Sequence, residues 1–230
     1  MVRPLLVVVL GAALSGCISP RSFVDPAFPK VSYDEVHRVP APPRLTLVVE
    51  FRRNGEAFGR ADSTLRDVAE RVLRASGAFV PVADGDDGEI RIVVDNIADR
   101  GAAAAKGFGT GLTFGLVGST VTDAYEMSVY VTTGGRTASR TAVTHAFHTA
   151  IGNTTIPSGI ETMPPGVAFQ RVIEQMLLRV LREMQGAGEI AGPRPGPAEV
   201  VVGSDRRSRE LHVAASTRTA AAGGPPATDR

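Results

Sequence analysis

Apolar and polar residues alternate in four stretches of the chain, and this period of two predicts β-strands with one buried face. The stretches are residues 45–52, 90–95, 125–132 and 137–151. Gly134 and Gly135 separate the last two stretches and predict a tight hairpin turn. A shorter strand is predicted over 79–82, and its short connection to 90–95 favours an antiparallel pair.

Two further stretches repeat apolar residues at helical spacing. The first covers about residues 63–76 and stops at Gly77, and the second covers about 165–184. The elements therefore follow the order strand, helix, strand, strand, glycine-rich insert, strand, strand, helix. This order predicts an α+β fold, a two-layer α/β sandwich of about five mostly antiparallel strands with two helices on one face.

The segments around this fold differ in composition. Residues 1–16 carry one basic residue, Arg3, ahead of an apolar run. This pattern is typical of a secretory signal peptide, and the run is too short to span a bilayer. Residues 17–43 are rich in proline and predict a semi-rigid tether. The globular domain then covers 44–186, and the composition of 187–230 predicts a disordered tail.

The apolar run ends in Leu14-Ser15-Gly16-Cys17, and Cys17 is the one cysteine of the chain. This motif resembles the lipobox of bacterial lipoproteins. The resemblance implies cleavage before Cys17, a diacylglyceryl group on its thiol and, often, acylation of the new amino group. Two or more acyl chains hold a protein stably on a membrane. Because Ile18 rather than Asp follows, the resemblance to Gram-negative sorting implies the outer membrane, on its periplasmic side.

Two other interpretations of the N-terminus stay open. One is an ordinary signal peptide with an incidental cysteine. The other is a buried helix of a cytosolic protein, which is disfavoured because the Leu/Val run after Arg3 has no amphipathic period.

Composition narrows the class of partner. The formal net charge is +1 and aromatic residues make up 5% of the chain, with no Trp, so neither a basic nucleic-acid surface nor an aromatic stacking platform is expected. A single cysteine also excludes an intramolecular disulfide. The expected partners are a membrane, through the lipid anchor, and an envelope protein or a second copy of the chain.

Residues 101–121 contain a single charge, Lys106, and place glycines four residues apart. On a helix this spacing would let two backbones approach closely in lipid. Three interpretations compete: a glycine-rich loop packed on the domain, a segment that touches or enters a membrane, and a self-association face. The residues of the membrane or self-association face are Gly107, Gly111, Gly115, Phe108, Leu112 and Phe114.

Candidate catalytic residues are few. His145 and His148 are three residues apart, which on a strand places them on opposite faces and prevents them from sharing one metal ion. The chain has no Gly-x-Ser-x-Gly elbow and no cysteine nucleophile in its mature domain. We therefore expect no catalytic site, metal or cofactor, although a histidine beside a carboxylate in a deep pocket would favour a hydrolase.

The order of elements, with a membrane-prone insert between strands, is similar to the small α/β domains of periplasmic assembly lipoproteins. Examples are the curli-secretion channel subunit and penicillin-binding-protein activator lipoproteins. The resemblance implies a non-enzymatic lipoprotein that serves envelope assembly, transport or maintenance through protein or membrane contacts. The alternatives are a periplasmic module that binds a ligand or polymer and, third, an envelope hydrolase.

Overall fold

A seven-stranded sheet carries the two α-helices found among the described residues. The computed structural model describes residues 20–98, 119–152, 154, 156 and 158–191. The strands are β1 (Arg21–Val24), β2 (Arg44–Arg53), β3 (Glu56–Ala57), β4 (Val80–Val82), β5 (Gly88–Ile97), β6 (Ser119–Thr133) and β7 (Arg136–Ile151). The helices are α1 (Asp62–Ser76) and α2 (Pro165–Gly186), and short 3₁₀ turns lie at Tyr33–Glu35 and Gly59–Ala61.

The sheet has the strand order β1-β7-β6-β5-β2-β3, and β4 also pairs with β2. Two strand pairs are parallel, β2 with β4 and β2 with β5. The other four pairs, including β2 with β3, are antiparallel. The mostly antiparallel α+β sandwich predicted from the sequence is confirmed, with two strands more than expected. The additional strands are β1 and the two-residue β3.

One apolar core lies between the sheet and the helices, because alternate strand positions face the apolar stripes of α1 and α2. Burying each large side chain contributes about 1.5–3 kcal/mol, so this layer supplies most of the stability. Its fully buried members include Leu45, Ile90, Ile92, Met127, Leu65, Leu73, Ile173, Leu177 and Leu178.

The predicted antiparallel pair of β4 with β5 is wrong. Thr46 pairs with Val82 on one side and with Glu89 on the other, so β4 and β5 lie on opposite edges of β2. The connecting loop crosses the end of β2, where Gly85 N–H donates to Thr46 Oγ1 at 2.8 Å. A Cβ on Gly85 would lie 2.6 Å from the Arg44 carbonyl oxygen, so the crossing needs glycine.

The prediction that residues 17–43 form a tether is wrong for residues 20–43, which the structure describes. β1 pairs antiparallel with the end of β7, with Phe23 opposite His148. Phe23, Val31 and Val36 are buried, so apolar residues between the prolines hold this segment on the domain. At its far end His37 N–H donates to Gln185 Oε1 on α2 at 2.8 Å. The domain therefore begins at β1 and not at residue 44.

A substitution at Gly88, the first residue of β5, tests the close pairing of β5 with β6. Its φ is +137°, and a Cβ there would lie 1.9 Å from the Thr132 carbonyl oxygen. We expect Gly88→Ala to lower the free energy of unfolding by about 2 kcal/mol, because both the backbone conformation and the clash oppose a side chain. Urea denaturation measures the change. Gly186→Ala, at an open position in α2, is the control and should stay within about 0.5 kcal/mol of wild type.

Candidate functional site

The residues singled out from the sequence for anchoring and self-association are not placed by the structure. Cys17 and the set Gly107, Gly111, Gly115, Phe108, Leu112 and Phe114 lie outside the described residues. The structure does place the residues that flank them in the chain. These are Arg21, which starts β1, Ala98, which follows β5, and Ser119, which starts β6.

Arg21 and Ser119 lie at the same end of the sheet. Arg21 pairs with Ala150, and Ser119 pairs with Ile151, the last residue of β7. We call this region the anchor end of the sheet and define it by Arg21, Ser119, Val121 and Ile151. The chain that precedes β1 and the chain that precedes β6 therefore both enter the domain at the anchor end.

His145 is buried beneath α2 and has a partner on each ring nitrogen. Its Nε2–H donates to Gln175 Oε1 at 2.9 Å, and its Nδ1 accepts the Ala146 N–H at 2.9 Å. Phe28 stacks on the ring with 4.7 Å between centroids. This arrangement fits the neutral imidazole, and burial lowers the pKa of His145 despite the opposing effect of the bond to Gln175.

His148 is fully buried and contacts a different set of groups from His145. Its Nδ1 lies 3.0 Å from Thr122 Oγ1, and its Nε2 lies 3.2 Å from Asp25 Oδ2. The second contact is close enough for an ion pair but is not aligned as a hydrogen bond. The Phe23 ring lies against the imidazole, with centroids 5.1 Å apart. The two histidines therefore share no ligand position.

Asp25 joins the end of β1 to β7. It is 6% exposed, its backbone N–H donates to the Ala146 carbonyl at 3.0 Å, and its Oδ1 accepts the Ala27 N–H at 2.9 Å. Burial acts to raise the pKa of Asp25, but His148 and the Ala27 N–H together outweigh it, so the pKa is lowered. Asp25 is thus held as a carboxylate at the point where the chain leaves the sheet.

Thr122, His148 and Asp25 follow the order hydroxyl, imidazole, carboxylate that also occurs in hydrolase triads. Here the His148 side chain has 0% exposure, so its imidazole is closed to solvent. The sequence indicated His148 but neither of its partners, because Thr122 and Asp25 are brought to it by the register of β6 and by the turn after β1. No local sequence pattern predicts that a threonine within a strand, such as Thr122, will contact a histidine on the neighbouring strand.

A pocket of about 170 Å³ lies beside this cluster, smaller than the ~300 Å³ at which ligand sites usually begin. Asp25 lines it, with His148 buried behind. Its charged and polar lining is completed by Lys30, Glu161, Arg171 and Gln175.

Within the described ranges, no three His, Cys, Asp or Glu side chains are grouped as a metal site. None of the helices described has the length and apolar character that crossing a bilayer requires.

No protein-family model matches the chain, and no curated protein matches it. Among solved structures, the chain is similar to protein XCC0632 from Xanthomonas campestris, of the family model DUF330. The identity is 17%, the TM-score 0.33, and the match covers 67% of this chain and 92% of that one. It is also similar to a PelC dodecamer from Paraburkholderia phytofirmans, at 17% identity and a TM-score of 0.28, over 61% of this chain and 92% of that one. Both similarities are weak.

Asp25→Asn tests whether the carboxylate holds β1 on β7. Asparagine keeps one oxygen for the Ala27 N–H but places an amide group against His148 Nε2 in a buried site, and leaving a buried polar group without a good partner costs about 1–3 kcal/mol. We expect the free energy of unfolding at pH 7 to fall by about that amount in urea denaturation. Asp86→Asn, at an exposed loop position, is the control and should unfold at the wild-type midpoint. Equal stability of the two variants would contradict the role given to Asp25.

The lowered pKa of His145 predicts that the free energy of unfolding depends on pH. Its pKa is lowered from 6.5 by burial, so the unfolded chain gains a proton near pH 6.5 and the folded chain gains it only at lower pH. The free energy of unfolding should therefore decrease as pH falls from about 6.5 toward the folded pKa. His145→Gln removes this titration and should flatten that slope in urea denaturation between pH 5 and 8, whereas His37→Gln, at an exposed position, should not.

Proposed function

We propose that this protein is a non-enzymatic lipoprotein of the bacterial envelope, held on the outer membrane through Cys17 and facing the periplasm. It serves envelope assembly, transport or maintenance through contacts with a protein partner, a second copy or the membrane. The observation that carries this proposal is the lipobox-like Leu14-Ser15-Gly16-Cys17 directly ahead of a folded domain. Two or more acyl chains on Cys17 would give a stable attachment.

The position of β1 supports an anchoring role. Only three residues separate Cys17 from Arg21, the first residue of β1. A lipid-bearing residue at that position is covalently close to a rigid part of the domain rather than at the end of a long linker. The attachment would therefore restrain the orientation of the domain as well as its location.

The burial of His148 supports a non-enzymatic role. It lies behind Asp25, and Asp25 is itself bound to Ala27 and close to His148. A general base must reach the proton that it takes from a substrate or nucleophile at an accessible reacting centre. This arrangement fits a structural clamp better than a catalytic group, so a hydrolase remains the third candidate.

A ligand-binding module is the second candidate, and the pocket beside Asp25 favours it. The pocket combines the cationic Lys30 and Arg171 with the acidic Asp25 and Glu161, so it would suit a small ligand with charges of both signs. A pocket of about 170 Å³ is too small to enclose a polymer chain. Contact with a protein or a membrane requires no enclosed pocket, so this role ranks ahead of ligand binding.

Cys17→Ala tests the anchor. In the proposed function, wild-type protein sediments with the outer membrane and its N-terminal peptide carries the mass of the lipid chains. The variant should move to the soluble fraction, or keep its uncleaved signal segment, because the acylated thiol is missing. Fractionation with mass spectrometry of the N-terminal peptide measures both. An unmodified Cys17 in a freely soluble wild-type protein would overturn the proposal.

A further inference from the structure

We propose that the anchor end of the sheet rests on the surface of the membrane in which Cys17 is anchored, with Val121 and Ile151 in contact with lipid. This inference deepens the proposed function and rests on it. The occupant of this surface is the lipid bilayer itself.

The chain length between the anchor and the sheet limits how far the domain can stand away. Four peptide steps join Cys17 to Arg21, and a fully extended chain covers at most about 14 Å over that number of residues. Arg21 is paired with Ala150 and cannot move independently of the sheet. Arg21 must therefore stay within about 14 Å of the lipidated residue, and β6, two strands away in the sheet, lies only about 10 Å further.

Exposed apolar side chains are concentrated at this end. Ile151 is 48% exposed and Val121 is 43% exposed. Ile151 pairs with Ser119 and Val121 pairs with Thr149, so the two side chains are diagonal neighbours on one face of the β6–β7 pair. Adjacent apolar side chains left in contact with water are the feature expected of a surface that meets an apolar phase.

The first turn of α2 adds a third exposed apolar side chain nearby. Val167 is 43% exposed, and the chain just ahead of α2 is fixed to β1 by two 2.8 Å hydrogen bonds between Ser22 and Met163. Arg21 is also held at this end, where its guanidinium donates to the Thr154 carbonyl at 3.3 Å. A cation beside exposed apolar groups suits the headgroup region of an anionic membrane.

The opposite end of the sheet offers an internal comparison. Among the described residues, one other large apolar side chain is exposed, Tyr130 at 37%. It lies nine positions along β6 from Val121, which is about 30 Å at strand spacing. A domain that rests on its anchor end would hold Tyr130 outside the bilayer and its headgroup layer.

The single cysteine of the chain allows a direct test. Once Cys17 is lipidated, a cysteine introduced elsewhere is the one free thiol and can be labelled with an environment-sensitive fluorophore. We would label Ile151→Cys and Tyr130→Cys in the lipidated full chain, bound to vesicles of phosphatidylethanolamine and phosphatidylglycerol with brominated acyl chains. We expect bromine to quench the label at 151 at least about twofold more strongly than the label at 130, since interfacial groups enter the acyl boundary by about 5–10 Å.

Val121→Cys provides a second probe of the same surface, should Ile151→Cys fail to fold. Co-sedimentation with the vesicles, together with equal or absent quenching at both ends, would overturn this inference and leave the proposed function standing. Failure of the wild-type protein to co-sediment, with an unmodified Cys17, would overturn the proposed function as well.

Discussion

The pairing of β1 with the end of β7 is the interaction on which the functional account depends. It buries Phe23 completely and places Asp25 against His148. A short strand at the edge of a sheet gains little from its own hydrogen bonds, so buried side chains must hold it there. Because β1 is fixed in this way, a lipid on Cys17 would be attached close to a rigid part of the domain and not through a long linker.

The polar cluster at this site connects separate segments of the fold. Two buried polar residues join separate segments. Asp25 joins the turn after β1 to β7, and His145 joins β7 to α2 through Gln175. Buried polar groups without partners are costly, so such connections specify one arrangement of the segments. The same cluster resembles a triad in its order of groups, yet His148 is completely buried.

The sequence predicted the elements whose pattern is local and repeated. The alternation in β2, β5, β6 and β7 and the helical stripe of α2 all identified real elements, since each is long enough for its period to stand out. It failed at β1, where the two apolar residues Phe23 and Val24 are too few for a period and the surrounding prolines suggested a spacer. It also failed at the β4–β5 connection, because the crossing over β2 depends on Gly85 meeting a distant backbone. Asp25 and Thr122 were missed for the same reason, as their contacts with His148 exist only after the strands pair.

Amide hydrogen exchange of β1 tests the central claim most directly. If β1 belongs to the sheet, the amides in this strand that bond to β7 should exchange as slowly as those of the β6–β7 pair, in the lipidated protein and in the Cys17→Ala variant alike. Exchange of β1 at the rate of an unfolded peptide, while β7 stays protected, would contradict the account. It would return residues 20–43 to the role of a semi-rigid tether and remove the restraint that brings the anchor end to the membrane.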